Sequence, residues 1–155
     1  MALTLTDLTT ELRASREHLL KHLEGLPREH WAAKPHPECK SVIETLSHLI
    51  VDDKMALGSL RTGQYVNYDV FPIETTDPDQ LLELLKESHE ELIAYLEATF
   101  AEAPLDAPVC VWGNMRKLAI GIAFLSSEDH YHAGQIAYLR MAIEPEWDYY
   151  GTIYG

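Results

Sequence analysis

The strongest constraint on the fold is the hydrophobic periodicity of residues 118–143, which predicts one long amphipathic helix. Side chains three and four positions apart share one face of a helix with about 3.6 residues per turn. The inward face is Leu118, Gly121, Leu125, Glu128, His132, Ile136, Leu139 and Ile143. A carboxylate and an imidazole therefore stand at its centre, where leucines are expected. His130 lies about 160° around the helix from His132, and we expect it to face solvent.

Glu128 and His132 are one helical turn apart, a spacing that suits a shared metal ion. A buried carboxylate is costly unless another group compensates for its charge, and a divalent ion would do so. The alternative is a structural pair, in which the two side chains hydrogen-bond to each other or to a polar partner inside an ordinary helical core.

A metal site needs at least a third ligand, and the second predicted helix offers His48, with Asp52 in reserve one turn further on. Two imidazoles and a carboxylate leave coordination positions open for water or substrate, as in catalytic rather than structural sites. This donor set suits zinc or nickel first, with iron or manganese as alternatives. Such an ion lowers the pKa of a bound water for hydrolysis, or of a bound thiol for transfer, and the residues alone do not choose between these reactions.

The composition restricts the partners. The 155 residues are 46% hydrophobic, which predicts one domain spanning residues 1–155 with a continuous core. The net charge of −13, from 12 Lys and Arg against 25 Asp and Glu, opposes binding to nucleic acid and to anionic membrane surfaces. Cys39 and Cys110 imply no disulfide framework. With neither a basic leader nor an apolar run of about 18 residues, the chain is expected to be cytoplasmic.

Helical periodicity recurs in segments separated by turn-forming residues. The predicted helices are 6–24, 42–57, 78–99 and 118–143. Ser41 and Glu44 have the spacing of a capping box, and Asp77-Pro78 supplies an N-cap followed by proline at the first helical position. Residues 58–76 form a long connection, and residues 104–114 form a loop with one strand-like piece. This order predicts an all-α four-helix bundle with long crossover connections, followed by an aromatic tail that docks on the surface or on a partner subunit.

Three further histidines need an interpretation. His18 and His22 have metal-binding spacing, but they flank the leucines of the first helix on its polar side, so a solvated edge is expected. His89 falls among the leucines of the third helix. It is either a structural core histidine or an additional ligand.

The run from Glu128 to Ile136, followed by Tyr138-Leu139-Arg140, resembles the last-helix signature of the DinB superfamily. That superfamily includes the bacillithiol transferase-like and mycothiol-dependent maleylpyruvate isomerase-like proteins. The segment from Ser41 to Leu49 resembles its first metal motif, a serine-led helix that carries a histidine, here His48.

The resemblance implies an up-down-down-up bundle, frequent homodimers and a divalent ion held by one histidine from the second helix and a His-x-x-x-His pair from the last. In this chain Glu128 occupies the first position of that pair, as in the His, Glu, His set of the maleylpyruvate isomerase branch. Lys40 is a second departure, because it stands where the family usually has tryptophan, so the entrance to the site is expected to differ.

Together these observations predict a homodimer that binds one divalent ion per chain through His48, Glu128 and His132. The implied activity is metal-dependent transfer involving a low-molecular-weight thiol and an electrophilic substrate. Two alternatives remain open at this point: a metal-dependent hydrolase, and a non-catalytic stress or interaction protein whose polar core pair is structural.

Overall fold

The computed structural model describes residues 2–155, which are mostly helical, and this confirms the all-α prediction. The elements are α1 (Leu5–Lys21), α2 (Val42–Thr62), α3 (Pro78–Thr99), β1 (Pro108–Val111), β2 (Asn114–Lys117), α4 (Leu118–Ile143) and α5 (Tyr149–Tyr154). Short 3-10 turns lie in the connections at Arg28–His30 and Tyr68–Val70. Four long helices thus occur in the predicted order, whereas their up-down-down-up arrangement stays a prediction.

The helix starts follow their caps. The Ser41 hydroxyl accepts the backbone N–H of Glu44, and the Glu44 carboxylate accepts the backbone N–H of Ser41, so the predicted capping box begins α2. The predicted end of α2 was wrong, because the helix continues to Thr62 and stops at Gly63, which has a φ of 71°. Gly58 lies inside the helix, and the position favours glycine because a Cβ there would lie only 2.9 Å from the Val66 side chain.

The long helices pack in two pairs, with α1 along α4 and α2 along α3. Their apolar faces form two buried clusters, one around Leu19, Leu46 and Ile136, and the other around Leu12 and Leu118. Among residues 2–155, no helix is both long and apolar enough to cross a membrane.

A buried ionic network centred on Arg16 connects the helices. The Arg16 guanidinium donates to Asp129 of α4 at 2.8 Å and to both carboxylate oxygens of Asp53 of α2 at 3.1 Å. His89 of α3 belongs to the same network, since Nε2 donates to the Leu12 carbonyl at 3.1 Å and Nδ1 lies 3.5 Å from Asp53 Oδ1. His89 therefore has a structural role.

A β-hairpin precedes α4, although the sequence predicted only one strand there. The strands β1 and β2 pair antiparallel around Trp112 and Gly113, whose φ angles of 48° and 78° are those of a tight hairpin turn. The Trp112 indole N–H donates to the backbone carbonyl of Asp52 at 2.9 Å. The hairpin is thereby tied to the middle of α2.

The C-terminal tail covers the end of α1, and the prediction that His22 lies at a solvated edge is therefore wrong. This side chain is buried beside Trp147 and Tyr149 rather than solvated. Its Nδ1 donates to the His18 carbonyl at 2.9 Å. The buried Arg140 donates to the His22 carbonyl at 2.9 Å, so α1 ends against polar groups of α4.

Candidate metal centre

The candidate metal centre consists of His48 and Asp52, one turn apart on α2, and His132 on α4. Each offers one ligand atom, and these three atoms all lie within 4.8 Å of one another. His48 Nε2 is 3.1 Å from Asp52 Oδ2, and the ring centroids of His48 and His132 are 5.0 Å apart. The reserve ligand Asp52 is thus brought to the same point as both predicted histidines.

His132 is prepared for coordination by its neighbour Gln135. Its Nδ1 donates to the Gln135 side-chain carbonyl at 2.7 Å, which leaves the lone pair of the imidazole on Nε2. Nε2 is buried and has no hydrogen-bond partner among residues 2–155. An unpartnered buried nitrogen is costly, and a metal ion would satisfy it.

Glu128 lies at the edge of this centre rather than in the core. Its side chain is 30% exposed, and Oε2 is 3.7 Å from His132 Nε2. The neighbouring Asp129 is the fully buried carboxylate, and Arg16 compensates for its charge. A core position was predicted for Glu128 and not for Asp129, since the two side chains differ by only about 100° around the helix.

Electrostatics keep the imidazoles available as ligands. Burial lowers the pKa of His48 to about 4, with the charge of Lys40 acting in the same direction, and burial also lowers the pKa of His132. Burial raises the pKa of Asp52 to about 7, and the neighbouring Glu128 adds to this. Near neutral pH both rings are therefore neutral, as metal binding requires.

The residues fit a divalent ion chemically. Two imidazoles and one carboxylate suit zinc, nickel, iron or manganese, in keeping with the metals expected from the sequence. Three protein ligands leave positions open for water or substrate. The unpartnered Nε2 of His132 and the hydrogen bond from its Nδ1 are the features seen when an outer group orients a metal ligand.

A surface groove of about 550 Å³ adjoins the centre through Gln135. Its lining is Pro35, Glu38, Cys39, Lys40, Tyr131, Gly134, Gln135, Tyr138 and Leu139. The larger cavity, about 750 Å³ between α1 and α3, includes none of His48, Asp52, Glu128 or His132. Neither lining includes a residue of the cluster, but of the two only the smaller groove includes Gln135, whose side-chain oxygen accepts the hydrogen bond from His132 Nδ1.

Comparison with known proteins identifies the family of this chain. The sequence model of the DinB superfamily matches residues 11–136, so the chain belongs to that superfamily. The matched span contains His48, Asp52, Glu128 and His132. No curated protein matches the chain.

Proposed function

We propose that this DinB-superfamily protein is a divalent-metal-dependent transferase that uses a low-molecular-weight thiol. The observation that carries the proposal is the convergence of His48, Asp52 and His132, with the buried Nε2 of His132 left without a hydrogen-bond partner among residues 2–155. We propose that these three side chains hold the ion, and that Glu128, expected from the sequence as a ligand, stands at its open side. The thiol chemistry and a homodimeric state are carried over from the resemblance to the superfamily.

The side chains around the centre have separate tasks in this proposal. A bound divalent ion supplies the positive charge that favours the thiolate over the thiol near neutral pH. Gln135 fixes the orientation of the His132 ring through its 2.7 Å hydrogen bond. Glu128 is half-buried and lies 3.7 Å from His132 Nε2, so its carboxylate can accept the thiol proton when the thiol binds at the centre. His132 is buried, so its ring keeps water away from the core side of the centre.

Metal content measured by plasma mass spectrometry tests the centre. Tag-free wild type, His132→Ala and the exposed neighbour His130→Ala are each exposed to a mixture of zinc, nickel, manganese and iron and then desalted. We expect near-stoichiometric metal in wild type and in His130→Ala, and loss of metal in His132→Ala. Metal-free wild type would refute the centre and favour the non-catalytic interpretation.

The choice of carboxylate is tested by comparing Asp52→Asn with Glu128→Gln. The Asp52 oxygen lies within the three-residue cluster, so we expect Asp52→Asn to weaken zinc binding more than about 100-fold and Glu128→Gln by only about tenfold, as for a group beside a ligand. Competition with a chelating dye measures both affinities. The reverse order would make Glu128 the ligand and Asp52 the outer carboxylate.

The reaction is tested with the metal-loaded protein. A panel of low-molecular-weight thiols and electrophiles is incubated with wild type and with His48→Ala, and conjugates are detected by mass spectrometry. We expect a conjugate that forms only with wild type and metal. Hydrolysis of esters or amides without any thiol, together with no conjugate from any thiol, would contradict the transferase and leave the hydrolase.

A further inference from the structure

Lys40 is the only cationic residue that lines the groove beside the metal centre. It is exposed, and among residues 2–155 no carboxylate oxygen lies within 4 Å of its ammonium group. Glu38 also lines the groove but forms no ion pair with Lys40. The nearby Lys34 differs, because it binds Glu44 at 2.7 Å.

The surroundings of Lys40 make this free charge informative. The net charge of −13 repels small anions over most of the surface, and most arginines are already paired with carboxylates. Lys40 instead places its positive charge in the lining of the groove. A free cation at the mouth of a site in an acidic protein favours an anionic ligand at that mouth.

The rest of the groove suits a carbon skeleton. Tyr131 and Tyr138 line it one above the other on α4 and are 61% and 78% exposed, so their rings offer apolar surface to a ligand. Gly134 lies between them, and a Cβ at this position would have no neighbour within 4 Å, so the floor is open. Gln135 connects the floor to His132.

We propose that this groove binds a small organic acid, with its carboxylate on Lys40, its carbon skeleton against Tyr131 and Tyr138, and its reactive end toward His132. As a statement about substrate class it rests on the proposed transferase, but the binding itself does not require the ion. The carboxylate belongs either to the thiol or to the electrophile, and the two sources are separable by experiment.

NMR titration of 15N-labelled protein tests the proposal with two probe pairs that differ only in charge. These are 3-phenylpropionate with 3-phenylpropanol, and 3-mercaptopropionate with 3-mercaptopropanol, each added to metal-free and zinc-loaded protein. We expect the acid to bind about fivefold more tightly than the alcohol in at least one pair, with shifts at the amides of Gly134 and Gln135. That factor is the size expected for an exposed ion pair.

Two variants make the test specific. Lys40→Met is expected to reduce the preference for the acid to about onefold, while Lys34→Met, which removes a lysine already paired with Glu44, leaves it unchanged. Selectivity in the phenyl pair assigns the carboxylate to the electrophile, and selectivity in the mercapto pair assigns it to the thiol. No preference for either acid, or the same preference in Lys40→Met, would overturn the proposal. Selective binding to a protein that takes up no metal would uphold the groove while refuting the metal-dependent function.

Discussion

Arg16, Asp53 and Asp129 occupy core positions on three different helices. Each lies on the apolar face of its own helix. Arg16 lies between Leu12 and Leu19, and Asp53 lies between Ile50 and Leu57. Charged residues inside three apolar stripes were the available signal for a buried ion network. Periodicity could not identify the partners, because residues on separate helices have no fixed spacing in sequence.

Removing Arg16 should strongly destabilise the fold. Arg16→Met leaves the buried carboxylates of Asp53 and Asp129 without their cation, and we expect a loss of about 3–5 kcal/mol in the free energy of unfolding. Arg13→Met is the matched control on the same helix, because its partly exposed pairs with Glu90 and Glu97 are worth less than about 1 kcal/mol. Urea unfolding measures both, and equal losses would show that the network contributes no more than a surface pair.

The buried His22 should make the folded state sensitive to mild acid. Burial lowers the pKa of His22, and the neighbouring Arg140 acts in the same direction. The unfolded chain therefore binds a proton more readily, so the stability contributed by neutral His22 is present above about pH 6.5 and is lost as the pH falls through the lower folded pKa. His18, His48 and His132 act in the same sense, whereas the raised pKa of Asp52 opposes them.

A comparison of variants isolates this effect. When the pH is lowered from 7.5 to 5.5, the free energy of unfolding should fall less in His22→Gln than in wild type. The control is His36→Gln, at an exposed position, which should keep the wild-type pH dependence. The same pH dependence in all three proteins would show that His22 titrates alike in the folded and unfolded chain.

At the level of elements, the sequence predicted what local chemistry decides. The caps at Ser41 and Asp77 and the full extent of α4 were confirmed because they depend on neighbours within a few residues. The end of α2 was predicted wrongly because glycine usually marks a helix end, whereas Gly58 lies inside the helix. Glycine is favoured there by the close approach of Val66 from a later loop, which the local sequence does not reveal. The strand β2 was missed because Asn114–Lys117 is polar and gains its structure from pairing with β1. For the metal centre, two of the three predicted ligands converge with Asp52, and their convergence required α2 and α4 to be placed in space.

The hairpin turn provides a test at this scale. Gly113 has a φ of 78°, and a Cβ there would lie 2.7 Å from the Cβ of Tyr65, so Gly113→Ala should cost about 1–3 kcal/mol through strain and overlap. Gly134→Ala is the control, because this glycine is helical with no neighbour within 4 Å, and alanine should stabilise the helix by about 0.5–1 kcal/mol. Thermal unfolding measures the two changes, and a stabilised Gly113→Ala would contradict the close contact with Tyr65.

For the molecule as a whole, the proposed ion would join the two helix pairs. His48 and Asp52 belong to α2, which packs on α3, whereas His132 belongs to α4, which packs on α1. Zinc bound only by the folded state should therefore stabilise it, by about 2.7 kcal/mol at 100 times the Kd. For a domain of this size that corresponds to a rise of roughly 5–10 °C in Tm.

Differential scanning calorimetry with zinc and with a chelator measures this linkage. The rise in Tm should be absent in His132→Ala and preserved in His130→Ala. A rise of equal size in His132→Ala would place the stabilising zinc elsewhere on the protein.

The pairing of α1 with α4 also has a consequence for how the chain is made. The helices α2 and α3 are adjacent in sequence and can pair as soon as both have left the ribosome. The helix α1 must wait for about 120 further residues before α4 is complete, roughly 6–24 s at ordinary rates of bacterial or eukaryotic translation. During that interval α1 can meet only α2 and α3, through Arg16 with Asp53 and Leu12 with His89, and the side that packs on α4 stays uncovered. The nascent protein is therefore exposed to aggregation and proteolysis until its last helix emerges, and a stop codon early in that helix would release a chain whose first helix lacks its main packing partner.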